Sequence, residues 1–263
     1  MMLRKKRYNT LALCLDKMQI RKGWSESMKK HTTAIVLAAG QGKRMQSKVH
    51  KQYLLIQDKP VLYYSLQAFE NSFIDDIVLV VGKGEEEYCQ KEIIEKYGFR
   101  KVRTIVEGGK ERYHSVANGI KAISWQCDYI FIHDGARPFI SEEILLRVYE
   151  QVKQSNACVV GMPVKDTVKI ADKAGFVEST PNRTKVWQIQ TPQVFEAQLI
   201  RKVYERLLKE EVQLLAEGVV ITDDAMAVEH FAKLPIKLVE GSYQNIKITT
   251  PEDLEIAEVF IKK

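Results

Sequence analysis

Cysteine is scarce in this sequence, and its cysteines form no pattern. The four of them are widely separated, with no C-x-x-C pair and no cysteine–histidine cluster. This excludes a disulfide framework and a zinc site of the usual spacing. No apolar run approaches the length that crosses a bilayer, so no membrane segment is expected. Because unpaired thiols are typical of reducing compartments, we expect a cytoplasmic protein.

The chain also lacks an excess of positive charge outside its first residues. The formal net charge is +6, but seven basic and two acidic side chains place +5 in residues 1–27 and leave +1 for residues 28–263. A nucleic-acid-binding domain carries its basic surface on the folded body, so no nucleic-acid partner is expected. We expect residues 1–27 to be a basic extension that is disordered or not translated, with Met28 as the alternative start. Residues 28–263 are predicted to form the functional domain.

Continuous apolar segments alternate with helical patterns. They predict strands at residues 34–38, 77–81, 102–106, 129–132 and 158–162, and helices at 61–70, 86–97, 115–123 and 142–154. This alternation indicates a Rossmann-like α/β fold, a mostly parallel sheet with helices on both faces. The pattern changes at about residue 163, where two short mixed segments predict a protruding β-hairpin arm over about 163–185. Further helices are expected at 196–209, 225–231 and 251–260, with late strands at 236–239 and 245–248.

The two common glycine fingerprints of nucleotide sites are missing. Met45 stands where G-x-G-x-x-G needs its third glycine, and no G-x-x-x-x-G-K-[ST] occurs. Instead, the first predicted strand runs into a small-residue turn made of Ala38, Ala39, Gly40 and Gly42. Such a turn lets backbone N–H groups approach a phosphate closely, and Arg44 and Lys51 behind it would neutralise the charge. The glycines alone would fit a plain strand-to-helix turn, but the two cations favour a triphosphate site.

Two further strand ends carry candidate ligand-binding groups. Gly108 and Gly109 permit close approach to a flat group such as a base, and Ser115 is able to cap a helix or donate to a ligand. Asp134 ends a buried strand, where a carboxylate is well placed to hold Mg²⁺ against phosphates. The alternative for this carboxylate is a structural pair with Arg137.

Other polar segments are ambiguous when each is taken alone. Runs that mix cations with hydroxyl groups contain Thr167, Arg183 and Lys247, and each run would fit a phosphate site, although such a run by itself is more often a solvated surface. Residues 190–193 form a polar segment that we interpret as a rigid turn around Thr191. Residues 222–224 are typical of a helix N-terminus.

Taken together, the motifs resemble those of the polyol-phosphate cytidylyltransferases. Six of them follow one another in that family's order over about residues 32–260. They are Ala38-Ala39-Gly40-x-Gly42-x-Arg44-Met45 with Lys51-Gln52-Tyr53-Leu54, Gly108-Gly109-x-x-Arg112-x-x-Ser115-Val116, His133-Asp134-x-Ala136-Arg137-Pro138, Pro163-Val164-x-Asp166-Thr167-x-Lys169, Gln190-Thr191-Pro192-Gln193 and Asn245-Ile246-Lys247-Ile248-Thr249.

The resemblance implies transfer of CMP from CTP to a polyol phosphate. Segments 115–119 and 222–225 are similar to the members that act on 2-C-methyl-D-erythritol 4-phosphate in non-mevalonate isoprenoid synthesis. The alternatives are the ribitol-5-phosphate enzymes of teichoic acid synthesis, or a non-catalytic nucleotide-binding protein, against which the intact set of cations argues. The family further implies Mg²⁺ or another divalent cation, and a homodimer formed through the hairpin arm.

The resemblance also implies a role for each site residue. The catalytic cations would be Arg44, Lys51 and Lys247. The nucleotide would be bound by Ala38, Ala39, Gly40, Gly42, Gly108, Gly109, Ser115 and Asp134, with Asp134 also placing the metal. The substrate phosphate would be bound by Thr167, Arg183 and Thr191, and Arg183 would act across the dimer. One position departs from the family: His50 stands where a proline usually precedes the catalytic lysine, so the loop loses its fixed φ.

Overall fold

The computed structural model describes residues 30–40, 45 and 50–262. The predicted basic extension at 1–27 and the predicted phosphate-binding residues Gly42 and Arg44 lie outside the described residues, so these predictions stay open. Within the described part of the chain, no helix is long and apolar enough to cross a membrane.

Eleven strands occur among the described residues. In chain order they are β1 (Thr32–Ala38), β2 (Leu55–Ile56), β3 (Lys59–Pro60), β4 (Asp76–Val81), β5 (Val102–Glu107), β6 (Tyr129–Asp134), β7 (Ala157–Pro163), β8 (Ile170–Ala171), β9 (Val177–Ser179), β10 (Trp187–Glu196) and β11 (Lys237–Glu240). Seven of them form one sheet in the order β11-β7-β10-β6-β1-β4-β5. Only β10 runs antiparallel to its neighbours in that sheet, so the predicted mostly parallel sheet is confirmed.

Helices cover both faces of this sheet. They are α1 (Val61–Glu70), α2 (Glu86–Tyr88, continued as a π-helix over Cys89–Glu95), α3 (Arg112–Ala122), α4 (Glu142–Ser155), α5 (Ala197–Ala216), α6 (Asp224–Ala232) and α7 (Pro251–Ile261). Alternate residues of β1 enter two separate cores. Ala34 and Val36 pack with residues of α1, α2 and α4, whereas Ile35 packs with residues of α3, α5 and α6. A strand buried on both faces is apolar throughout, which is why the sequence pattern is continuous.

Two of the sequence-based strand and turn assignments are wrong. The segment 190–193 is not a turn but the interior of β10, whose pairing with β7 shifts register between Ile189 and Gln193. The Thr191–Pro192 bond within it is cis. A proline cannot donate to a sheet ladder, so its presence argued against a strand. The expected strand at 245–248 is irregular, because its backbone bonds to neighbouring loops, as when the Ile248 N–H donates to the Ala136 carbonyl.

The helix starts are mostly as expected. Ser141 caps α4 and Asp223 caps α6, each accepting a backbone N–H with its side chain. The expected start of α3 at Ser115 is wrong, because the helix begins at Arg112 with Glu111 as its N-cap. Glu111 and His114 form a reciprocal capping box there, a role that the sequence pattern does not suggest for histidine.

A β-hairpin lies within the segment 163–185, where the sequence predicts an arm. Strands β8 and β9 pair antiparallel, and this hairpin exposes the apolar side chains of Ile170, Phe176 and Val177. The role of the arm in dimerisation stays a prediction.

Candidate active site

A cleft of about 530 Å³ opens at the carboxyl ends of β1 and β6. These parallel strands are neighbours, with Leu37 opposite Asp134, so their ends meet at one edge of the sheet. Ligands of open α/β sheets bind at such an edge. The cleft brings together eight of the predicted site residues, namely Ala38, Ala39, Gly40, Lys51, Gly109, Ser115, Asp134 and Lys247.

The glycine pair supports the cleft from behind. A Cβ on Gly108 would lie 2.4 Å from the Cβ of Ala39 and 2.8 Å from Ser115 Oγ, so this position has room for glycine alone. The Ser115 hydroxyl accepts the Gly109 N–H at 3.0 Å and thereby ties the loop to α3. Gly108 thus packs the second glycine turn against the first one.

Asp134 is the electrostatic centre of the cleft. Lys247 Nζ lies 2.8 Å from its Oδ2, Arg112 Nε lies 3.5 Å from its Oδ1, and Arg137 Nε lies 3.7 Å from Oδ2. Burial alone raises the pKa of the Asp134 carboxyl. The charges of Arg112, Lys247 and Arg137 outweigh that effect and hold the pKa well below its usual range. The carboxylate is therefore ionised, and it gathers three cations from separate parts of the chain.

Arg112 is itself held by a buried acid at the N-terminus of α6. Its Nη1 and Nη2 each donate to one carboxylate oxygen of Asp224 at 2.9 Å, a bidentate pair. Asp224 is fully buried, and the Tyr204 hydroxyl donates to its Oδ1 at 2.5 Å. Desolvation lowers the pKa of Arg112, but the Asp224 and Asp134 charges raise it further, so the guanidinium is a permanent cation. Its orientation is thus set by two carboxylates.

Asp224 is a functional residue that the sequence analysis missed. The sequence predicts a helix start at residues 222–224, and Asp223 is indeed the N-cap of α6. The next position, Asp224, is fully buried and holds Arg112 instead. Two successive acids at a helix start are common, so only the pairing of distant elements reveals the difference between them.

A second buried chain of hydrogen bonds lies behind Asp134. The Asp134 N–H donates to Thr191 Oγ1 at 3.0 Å, and Thr191 Oγ1 lies 3.0 Å from His133 Nδ1. His133 Nε2 lies 3.1 Å from the Arg137 carbonyl. A neutral imidazole with its proton on Nε2 satisfies every partner. Burial lowers the pKa of His133 to about 4, in accord with that neutral form.

Thr191 is 4% exposed and contacts the backbone of Asp134. Its predicted contact with the substrate phosphate stays a prediction. The structure instead shows a hydroxyl that supports the Asp134 loop.

Lys51 begins a short 3₁₀ turn, Lys51–Tyr53, and lines the same cleft. Its Nζ donates to the Ile248 carbonyl at 3.1 Å, next to Lys247 in the chain. Gln52 is almost fully buried, and its amide donates to the Ala38 carbonyl at 2.5 Å. The turn is therefore attached to both β1 and the segment that carries Lys247.

The other predicted substrate residues lie on the arm, outside the lining of this cleft. Thr167 and Arg183 are both exposed, and Arg183 Nη1 donates to the Lys165 carbonyl at 3.1 Å. Their predicted contact with substrate stays a prediction. Among the residues that the structure describes, no group of three or more His, Cys, Asp or Glu side chains is arranged to hold a metal.

Comparison with known proteins agrees with this geometry. A family model described as 2-C-methyl-D-erythritol 4-phosphate cytidylyltransferase matches residues 32–263. A relative of that name from Lachnoclostridium phytofermentans is 54% identical over 231 residues, which cover 88% of this chain and 96% of the relative. Another, from Caldanaerobacter subterraneus, is 45% identical over 234 residues, with 89% and 100% covered.

A solved structure gives the same result. The crystal structure of 4-diphosphocytidyl-2C-methyl-D-erythritol synthase from Anaerococcus prevotii superposes with a TM-score of 0.76 at 37% identity. The superposition covers 89% of this chain and 97% of that one. The chain therefore belongs to the 2-C-methyl-D-erythritol 4-phosphate cytidylyltransferase family.

Proposed function

We propose that this cleft joins CTP to 2-C-methyl-D-erythritol 4-phosphate, giving CDP-methylerythritol and pyrophosphate. The observation that carries the proposal is Asp134, a buried carboxylate that gathers Arg112, Arg137 and Lys247 at the end of two parallel strands. Lys51 lines the same cleft. Such a set of fixed cations suits a reaction between two phosphate groups.

The reaction needs no nucleophilic side chain. A phosphate oxygen of methylerythritol phosphate attacks the α-phosphorus of CTP and forms one P–O bond. The bond from that phosphorus to the α–β bridging oxygen breaks, and pyrophosphate leaves with the electron pair. Because the attacking group is already an anion, catalysis consists of positioning and charge stabilisation.

The cations divide this task by their place in the cleft. The Lys51–Ile248 hydrogen bond joins Lys51 to the segment that carries Lys247. Together the two lysines would bind the triphosphate and stabilise the charge that develops on the α-phosphoryl oxygens. Arg44 lies outside the described residues, and its place in this group rests on the resemblance alone. Arg112 is paired with two carboxylates, which suits it to fix Asp134 rather than to bind phosphate by itself.

The nucleoside would lie against the two small-residue turns. The backbone of Ala38, Ala39 and Gly40 lines the cleft beside Gly109 and Ser115. Because side chains there are small or absent, backbone N–H and C=O groups are accessible to a base and a ribose. Asp134 would accept from ribose or substrate hydroxyl groups.

A divalent cation fits this donor set in a limited way. Mg²⁺ at nucleotide sites takes one or two protein carboxylates together with substrate phosphates, and Asp134 supplies one ionised carboxylate in the cleft. Bound there, Mg²⁺ would neutralise charge on the phosphates and on the leaving pyrophosphate.

The arm would complete the site from a second copy of the chain. Its tip exposes Phe176 by 73% and Val177 by 60%, apolar surface that a partner would bury. A homodimer built this way would bring Thr167 and Arg183 to the partner's cleft, where they would bind the acceptor phosphate. We also expect the enzyme to act in the cytoplasm, where its phosphorylated substrates are retained.

A pyrophosphate-release assay tests the proposal. CTP is mixed with methylerythritol phosphate or with ribitol 5-phosphate, each with and without Mg²⁺. We expect release with CTP and methylerythritol phosphate, dependent on the metal. A preference for ribitol 5-phosphate would overturn the acceptor, and no release with either acceptor would overturn the activity.

A further inference from the structure

The residue before Lys51 has the backbone conformation of a proline without being one. His50 has φ −62° and ψ 138°, and its carbonyl accepts the Tyr53 N–H at 2.9 Å to begin the 3₁₀ turn. A proline ring would hold φ at about −65° by covalent constraint. Histidine has no such constraint, so something else must restrict this backbone if Lys51 is to stay in place.

The imidazole supplies such a restraint. His50 Nδ1 lies 2.5 Å from Glu85 Oε1, and the ring stacks near Tyr53 with 6.5 Å between centroids and 21° between planes. The His50 side chain is 37% exposed and that of Glu85 is 18% exposed. A contact that is partly withdrawn from water is worth more than a fully solvated one.

The other end of this contact is firmly anchored. Glu85 Oε2 accepts the Gly82 N–H at 3.0 Å and the Tyr53 hydroxyl at 2.7 Å. The carboxylate lies so close over Gly82 that a Cβ there would be 2.7 Å from Oε2. Gly82 follows directly after β4, a strand of the central sheet. The carboxylate therefore connects the Lys51 turn to the carboxyl end of β4.

We propose that the His50–Glu85 contact is a positioning device for Lys51, which replaces the covalent restraint of a proline ring by a side-chain tether to the sheet. The tether fixes the backbone on which the ammonium group stands, and it touches no substrate. The proposal rests on the proposed function, since it takes Lys51 to be a catalytic cation.

Substitutions at the two ends of the tether test it. His50→Ala removes the tether, and we expect kcat to fall about tenfold with KM for CTP changed less than about threefold, because a misplaced group costs most in the transition state. His50→Pro restores φ by covalent means, so it is expected to recover most of the kcat lost in His50→Ala. Glu87→Gln is the matched control, since Glu87 is exposed and pairs only along its own helix with Lys91 among the described residues.

The decisive measurement places Glu85→Gln in both backgrounds. We expect it to lower kcat about tenfold when residue 50 is histidine and less than about twofold when residue 50 is proline, because the two restraints replace each other. Hydrogen exchange at the Tyr53 and Leu54 amides, which bond within the turn, should be faster in His50→Ala and restored in His50→Pro.

Two results would overturn the tether. One is an equal loss of kcat for Glu85→Gln in both backgrounds, which would mean that Glu85 acts through the general fold. The other is a His50→Ala enzyme with parental kcat and parental exchange. An unsubstituted protein that releases no pyrophosphate would instead reject the proposed function, so the two failures are distinguishable.

Discussion

The proposed site has two parts, the sheet side and the arm. Within one chain, the side chains of the sheet side are already paired with one another, whereas those of the arm lie outside the cleft lining. On the sheet side, Asp134, Arg112 and Asp224 are mutually paired and mostly buried. On the arm, Thr167 and Arg183 are exposed and lie away from the cleft lining. The first group becomes ordered when the chain folds, so its side chains need little reorganisation during the reaction. The second group would acquire its proposed binding role only where the arm meets the cleft of a second copy of the chain.

The largest expected effect in the comparison of the sheet side with the arm is at Lys51, which lines the cleft. Lys51→Ala is expected to lower kcat about 10³-fold, since it removes a fixed cation from the developing charge, while the free energy of unfolding changes by less than about 0.5 kcal/mol. Steady-state pyrophosphate release and urea denaturation measure the two effects. Lys121→Ala, an exposed lysine near the end of α3, is the control. Near-normal turnover would remove Lys51 from the chemistry.

The buried network is tested by Asp224→Asn. This substitution keeps the shape but leaves the Arg112 guanidinium short of a charged partner, so we expect a loss of about 3 kcal/mol in unfolding free energy. Turnover should fall as well, because Arg112 then orients Asp134 less well. Glu210→Gln breaks an exposed ion pair with Arg206 on α5 and should cost less than about 0.5 kcal/mol. Equal costs in the two variants would contradict the view of a preorganised sheet side.

A pH effect of similar size comes from His133, which also lies on the sheet side. In the folded state the pKa of His133 is lowered from 6.5 to about 4. Between these two values the unfolded state binds a proton that the folded state does not bind. Stability is therefore fully present above pH 6.5 and falls as the pH drops from 6.5 towards 4, by about 3 kcal/mol in all.

Denaturation at several pH values measures this fall. His133→Gln should flatten the curve in that window, whatever its effect on stability at neutral pH. If parent and variant lose stability in parallel between pH 6.5 and 4, another group is responsible.

The arm is tested by mixing inactive subunits. If Arg183 acts in the partner's cleft, a heterodimer of Lys51→Ala and Arg183→Ala subunits has one intact site and one doubly altered site. Statistical exchange of equal amounts should then recover about a quarter of the parental activity. No recovery, with heterodimers shown by mass spectrometry, would mean that each chain builds its own site and that the two regions do not differ in this way.

Much of the site follows from residue order along the chain. The strands that end at Ala38 and Asp134 have apolar central residues, with small residues after the first and an acidic residue at the end of the second. Sheet topology then places these ends side by side. Strand patterns and binding motifs are both features of short stretches of sequence. The sequence alone therefore predicts the fold class and most of the cleft lining.

The remaining features depend on distant pairs. The interior of β10 contains Pro192, which local rules assign to a turn, and its pairing with β6 and β7 overrides that preference. Ser115 has the chemistry of a helix cap, yet Glu111 takes that position. Local propensity is a weak guide where tertiary hydrogen bonds compete with it.

The sequence by itself determined the alternation of strands and helices, the small-residue turn after the first strand and the family. Only the tertiary structure decided which charges meet. Asp224 lies 112 positions from Arg112, and Glu85 lies 35 positions from His50. The strength of an ion pair depends on the distance between the charges and on the exclusion of water. Neither can be predicted from a short stretch of sequence.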